Sequence, residues 1–378
     1  MRLIPDQDQR DLAAMCRDVL TAECPTTLAR ALHTPDGVRV TPGLWKALAE
    51  AGVLGLAIEE GLGGSGGGLV DLGVFCVEAG QALCPMVVHS TLHAARAVDW
   101  LGSGGARETW LPSLASGSAR GTTALWNPRD ASVLTPSLRA REDGGGWRLR
   151  GVADFVADAD LADLIVVSAE AAGGTLGFVL DMGAASSPGL SVEPLAMMGG
   201  HRAFTVRFDG VLVDDPGRVL GGAGGLGEQE LRRVANAAAA LLCLDLVGVA
   251  EAVLQRTVDY IKMREQFGRP IASFQAAQHL VADMHIALAA ARLAAQSAVF
   301  WIGRGRTATR ETAIAKMRAA AVKKITLDAH QLHGGMGYVL DTDLHLFSER
   351  ARVLATLGGG ADVAAQWLAD EMDWEAPR

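Results

Sequence analysis

Apolar residues recur at helical spacing over residues 7–20, where Leu12, Met15, Cys16 and Val19 share one face. Thr41-Pro42 reads as an N-cap followed by proline at the first helical position. The helix it opens carries Leu44, Trp45, Leu48 and Ala49 and is expected to end near Gly52. The same period returns over 70–83 and 91–101. From about residue 119 it stops, and short β-rich runs follow at 147–151, 164–168, 176–180 and 204–208. Turn residues separate them at 143–146, 172–174 and 187–189. Beyond Gly224 the helical period resumes in three long patterns, 225–264, 273–303 and 308–334, with a last helix at 361–371. Helices of that length predict a bundle, and alanine-rich faces at 237–240 and 287–295 allow close packing in it.

The predicted fold is therefore mainly α with a β insert. An N-terminal helical domain covers 1–118, a β domain 119–222 and a C-terminal helical bundle 223–378. Of the 378 residues, 49% are hydrophobic, enough for a large core. The net charge of −9 gives no electrostatic footprint for nucleic acid. The most membrane-like run, 234–254, is interrupted by Asn236, Asp245 and Glu251 and carries Gly248, so it reads as a buried helix rather than a span. The five cysteines (Cys16, Cys24, Cys76, Cys84 and Cys243) form no C-x-x-C, which predicts reduced, mostly buried thiols. With no apolar signal region at the start, a cytoplasmic location is expected.

Several features could carry chemistry. Gly61, Gly63 and Gly66 formally make G-x-G-x-x-G, with Glu78 near the offset of a ribose-binding acid. No strand precedes them and no βαβ alternation follows, so a flexible loop is the expectation. His89 and His93 stand at i, i+4, a spacing that can bind metal, but a third ligand is lacking. His330 and His333 are expected to line a helix end, and no metal is expected.

The most distinctive stretch is 264–278, REQFGRPIASFQAAQ, followed 67 residues later by QLHGGMGY at 331–338. Together these blocks resemble the acyl-CoA dehydrogenase family, and the helical–β–helical order resembles its architecture over essentially the whole chain. The resemblance implies a middle β-barrel or sandwich and a C-terminal four-helix bundle, assembled as a dimer of dimers. It also implies FAD. Arg264, Phe267, Phe274, Gln275, Gln331, Gly334 and Gly335 match the residues that grip the pyrophosphate and adenosine end of an FAD whose flavin lies in the neighbouring subunit. An Arg fork suits a pyrophosphate, and glycines let backbone N–H groups approach it.

In that family a glutamate removes the α-proton of a CoA thioester while the β-hydrogen leaves as hydride. The two positions at which the family carries it correspond here to Gly358 and Ala238, so no catalytic residue is assigned. Asp245, about 10 Å along the helix from Ala238, and Asp362, four residues past Gly358, are the carboxylates that could replace it. A helix-surface or interhelix role is favoured for both. Positions whose hydroxyls face the flavin in the family are also changed. Trp126 replaces a small hydroxyl residue, with only Pro128 of that block kept; Ala157 and Gly360 replace threonines.

The residues lent to a neighbour's FAD thus survive, while those for a subunit's own flavin and base do not. This pattern resembles the non-catalytic subunit of heteromeric, α2β2 steroid-degrading acyl-CoA dehydrogenases, and the segment 341–352 around His345 resembles that group too. The expected partners are a catalytic subunit, an acyl-CoA substrate and an electron-transfer flavoprotein as acceptor, with neither nucleic acid nor membrane. Two alternatives remain: a homotetrameric flavoenzyme with monooxygenase, hydratase or lyase chemistry, and a non-enzymatic scaffold.

Overall fold

A computed structural model describes residues 4–34, 40–127, 133–183, 187–198 and 200–372. The first helices are α1 (Gln7–Glu23), α2 (Thr26–His33), α3 (Pro42–Glu50), α4 (Leu69–Gln81), α5 (Met86–Leu101) and α6 (Gly104–Ala115). Eight strands follow: β1 (Gly121–Ala124), β2 (Leu138–Asp143), β3 (Gly146–Ala157), β4 (Leu164–Ala171), β5 (Gly174–Asp181), β6 (Leu190–Leu195), β7 (Ala203–Val213) and β8 (Val219–Leu220). Then come α7 (Glu228–Met263), the short strands β9 (Glu265–Gln266) and β10 (Arg269–Pro270), and α8 (Gln275–Gly303). The chain ends in α9 (Thr309–Ala319), α10 (Val322–His333), α11 (Leu344–Leu354) and α12 (Ala361–Glu371).

Local signals explain most of these boundaries. Pro42 opens α3, although the Thr41 side chain makes no capping bond. Its end is a Schellman motif: Gly52 sits at φ +73°, its N–H meets Ala49 O, and Val53 N–H meets Leu48 O. Gly144 and Gly145, both at positive φ, form the two-residue turn joining β2 to β3. The pattern at 308–334 is two helices, not one. Around Ala320 and Ala321 the backbone shifts to i→i−3 bonds, as in Ala321 N–H to Arg318 O, with no proline or glycine to announce it.

Packing groups the chain into two compact units. One comprises Pro35–Gly68 and Pro85–Ala238. Its sheet runs β6-β7-β3-β2-β4-β5-β8, with β1 added beside β4; β4 pairs in parallel with β1 and β2, and the other pairs are antiparallel. The continuous apolar run of β4 reflects burial on both faces. Leu164 and Val166 pack with α5 and α6, through Ala94, Val98, Leu111 and Leu114. Ile165 and Val167 point the other way, into a core with Phe178, Val206 and Phe208.

The other unit comprises Met1–Thr34, Leu69–Cys84 and Ala239–Arg378. Here α4 crosses α7 backbone to backbone. A Cβ on Gly80 would lie 2.0 Å from Asp245 O, and one on Gly248 would lie 1.9 Å from Val77 O. Gly248 is therefore a packing requirement. Beside this crossing, the Arg350 guanidinium grips Asp245 with two bonds of 2.8 and 2.5 Å, and a third reaches Cys84 O at 2.8 Å. Burial works against the Arg350 charge, but the Asp245 carboxylate outweighs it and raises the guanidinium pKa.

Arg350→Leu leaves the buried Asp245 carboxylate without its bidentate guanidinium, so chemical denaturation is expected to show a loss of about 3–5 kcal/mol. Combining it with Asp245→Leu should recover most of that loss.

Candidate functional site

Helix α7 ends at Met263, but the Arg264 N–H still reaches Tyr260 O at 2.8 Å. The chain then makes a two-residue hairpin, β9 to β10, whose turn residues Phe267 and Gly268 lie at φ +52° and +77°. Ile271 N–H closes it onto Arg264 O at 2.9 Å. A phenylalanine in the left-handed region costs about 1–2 kcal/mol. Phe267 is nevertheless 93% exposed, so packing among the described residues offsets little of that strain. Its edge meets Phe274 at 6.2 Å, and the Arg269 guanidinium lies 4.1 Å over the Phe274 ring. Gln275 is the first residue of α8 and is exposed.

The second block begins where α10 ends. Gly334, at φ +57°, leaves the helix and opens a 3-10 turn over Gly334–Tyr338. Gln331, Gly334 and Gly335 are exposed, and a Cβ on either glycine would meet nothing within 4 Å. Gly337 differs: its Cβ would lie 2.4 Å from His330 O. The two blocks are joined by a stack. Tyr260, one turn before Arg264, lies face to face with His333 at 4.3 Å and 18°. Burial lowers the His333 pKa; its Nδ1–H bond to Ala329 O opposes that, and His330 adds to it. The structure thus gathers Arg264, Phe267, Phe274 and Gln275 around one hairpin and fixes it to the turn bearing Gly334 and Gly335.

Open glycines and an exposed guanidinium at a backbone turn fit the phosphate end of a dinucleotide. The positions expected to face a flavin ring offer less. Trp126 is half-buried and packs on the helix–sheet core. The Ala157 carbonyl is taken by Thr122 Oγ1 at 2.6 Å. A bulge in β3, where Ala153 to Val156 spans two residues of β7, turns Phe155 outward at φ +56°. Pro128 lies outside the described residues.

Neither expected base position holds an acid. Ala238 is half-buried on α7, and Gly358 is exposed at φ +66°, followed by Gly359 at +100°. Lys316, 2% exposed, donates to Leu357 O at 2.6 Å and holds this turn from beneath; burial lowers its pKa. Asp245 is fully buried in its ion pair, an interhelix role. Asp362 is exposed in the first turn of α12, where a carboxylate suits the helix dipole.

The remaining candidates settle into the fold. The glycine run follows turns and a 3-10 helix, Glu60–Leu62, not a strand, and folds back through Gly66 N–H to Ile58 O. Glu78 is held by Arg17 at 2.7 Å. His89 and His93 meet edge to face at 6.3 Å, and among the described residues no cluster of three His, Cys, Asp or Glu could hold a metal. His345 lies on α11; burial lowers its pKa, and Nδ1 has no partner. All five cysteines are buried free thiols, and burial pushes Cys16 up to about 12. Tyr260 and Lys316 were missed. The one signal was polarity out of place: a Tyr four residues before Arg264, and a Lys within the alanine-rich segment that became α9.

Comparisons with known proteins bear on these features together. Residues 6–118 match the acyl-CoA dehydrogenase N-terminal domain and residues 225–372 its C-terminal domain. The acyl-CoA dehydrogenase IpdE2 of Mycobacterium tuberculosis is 32% identical over 339 residues, covering 88% of this chain and 87% of that one. A variant of the Tcur3481–Tcur3483 steroid ACAD superposes with a TM-score of 0.86 and 32% identity, over 97% of this chain and 98% of its own. The ChsE4–ChsE5 complex of Mycobacterium tuberculosis gives 0.88 and 28%, over the full length of both chains.

Two stability tests follow from this geometry. The buried Nε2 of His93 has no partner, and burial, with His89 nearby, lowers its pKa to about 3. The unfolded chain takes up this proton below about pH 6.5, so stability should fall between about pH 6.5 and 3, by at most about 1.4 kcal/mol per pH unit. His93→Phe should flatten that part of a denaturation-versus-pH curve. Gly358→Ala places a side chain in the left-handed region and should cost about 1 kcal/mol in thermal or chemical unfolding.

Proposed function

We propose that this chain, which belongs to the acyl-CoA dehydrogenase family, is the non-catalytic subunit of a heteromeric, FAD-dependent acyl-CoA dehydrogenase. FAD is the cofactor; when bound it takes the hydride from the acyl chain. In this reading Arg264, Phe267, Phe274, Gln275, Gln331, Gly334 and Gly335 hold the pyrophosphate and adenosine end. A catalytic partner supplies the flavin pocket and the glutamate that removes the α-proton.

The observation that carries the reading is an asymmetry. The residues assigned to the dinucleotide lie on two turns and are mostly exposed, with Phe267 93% accessible at φ +52°. The family's base position, by contrast, is a glycine at φ +66°. A second observation supports a partner chain. The apolar window of α7 is 78% buried, whereas that of α8 is 33% buried, with Ile286 66% and Leu293 46% exposed. Tyr338 at 85% and Leu340 at 71% are exposed apolar residues as well. Surfaces of this kind mark protein interfaces.

The substrate proposed is a CoA thioester of steroid origin, in keeping with the likeness to a steroid ACAD. An electron-transfer flavoprotein is the proposed acceptor and the cytoplasm the proposed location.

Arg264→Ala in the complex with its catalytic subunit should leave assembly intact by size-exclusion chromatography and strip most of the FAD. Losing the charge-assisted contact should weaken FAD binding by roughly 10- to 100-fold. Full FAD content in that variant would contradict the reading.

A further inference from the structure

Two histidines flank Gln331, and the cofactor contacts described so far use neither. His330 stands out because both of its ring nitrogens are engaged. Nδ1 lies against Gly337 O, which can only accept, so Nδ1 carries the proton. Nε2 is left to accept from the Ser348 hydroxyl at 2.6 Å. One tautomer therefore satisfies the Gly337 carbonyl of the Gly334–Tyr338 turn, the ring, and a hydroxyl on α11. Ser348 is itself 3% exposed, and its carbonyl accepts from Arg352 at 3.1 Å, so the far end of this bond is fixed.

The turn needs such a hold. Gly334 and Gly335 touch nothing at their Cβ positions, and Met336, Tyr338, Val339 and Leu340 are exposed around them. Most of the turn therefore has little packing of its own. The exception is Gly337, pressed so close to His330 O that a Cβ would sit at 2.4 Å. Gly337 is thus held on α10 by backbone contact and by the imidazole of the same histidine, while Gly334 N–H bonds Gln331 O and the Tyr338 ring lies 6.0 Å from His330.

We infer that His330 is a positioning residue for the cofactor. Its Nδ1–H latches Gly337 O, and Ser348 fixes its tautomer, so that the open backbone at Gly334 and Gly335 is preorganised toward the pyrophosphate–adenosine end of the FAD. This rests on the assignment of that FAD end to this chain. Preorganisation of this kind appears in affinity, because a loose turn must be ordered again each time the ligand binds.

The test uses the complex with the catalytic subunit and reads the FAD dissociation constant by flavin fluorescence, together with the unfolding midpoint of the FAD-free protein. His330→Leu removes both bonds and should weaken FAD binding about tenfold, the cost of roughly one hydrogen bond. His330→Asn places an amide N–H near the Nδ1 position and should recover binding to within about threefold of wild type. Ser348→Ala should fall between the two. An unchanged FAD affinity in His330→Leu overturns the inference. So does a loss in His330→Asn equal to that in His330→Leu, which would mean packing rather than a latch. Arg264→Ala separates the two levels. If it weakens FAD binding while His330→Leu does not, only the role of His330 fails. If Arg264→Ala leaves FAD binding intact, the assignment of the FAD end fails as well.

Discussion

The helical unit depends on one buried ion pair. Asp245 and Arg350 sit at the point where α4 and α7 come closest, where glycines at 80 and 248 let the backbones touch. An isolated charge there would be prohibitively costly, and the bidentate geometry offsets that cost only while both partners are present. The same guanidinium takes the Cys84 carbonyl at the end of α4, so a single side chain registers three segments. It follows that Asp245 cannot serve as a base. Taking a proton would break the contact that holds α7 against α11. A carboxylate in the right helix, facing inward, is committed to structure.

With Asp245 committed to its ion pair and Asp362 exposed at a helix start, neither carboxylate weighed as a replacement base is placed for that role. What it offers is a surface. The Phe267 turn is strained and outward, and the glycines of the second block are open; neither arrangement pays within one chain. Both make sense if a second chain brings the ligand to them. Tyr260 and His333 give this surface its coherence, since their stack binds two blocks far apart in sequence into one face. The outward apolar side of α8 extends the same logic from ligand to partner.

Much of this was legible in the sequence because it is local. Helical periodicity located α1, α3, α4, α7, α8 and α12. Gly52 marked the end of α3, and Gly144-Gly145 marked a turn. The run LIVV marked a strand, while its burial on both faces came only with the fold. Gly334-Gly335 fell at a helix end, as a glycine pair signals, whereas the hairpin turn at Phe267-Gly268 was not legible because phenylalanine is disfavoured at φ +52°. What could not be read was non-local. No periodicity reveals that Asp245 meets Arg350, that Lys316 supports the Leu357 carbonyl, or that His330 reaches Ser348. The break between α9 and α10 lacks proline and glycine, and α2, α6 and α11 were not marked by the periodicity.

The central claim is that this polypeptide provides one side of a shared FAD site and no base. The most direct measurement is the FAD-to-chain ratio, with acyl-CoA oxidation, for the purified chain alone and again with a catalytic subunit of the family. The account predicts no bound FAD and no activity alone, and one FAD for each pair of unlike chains in an active complex. One FAD per chain in a homotetramer of this polypeptide, above all an active one, would contradict it.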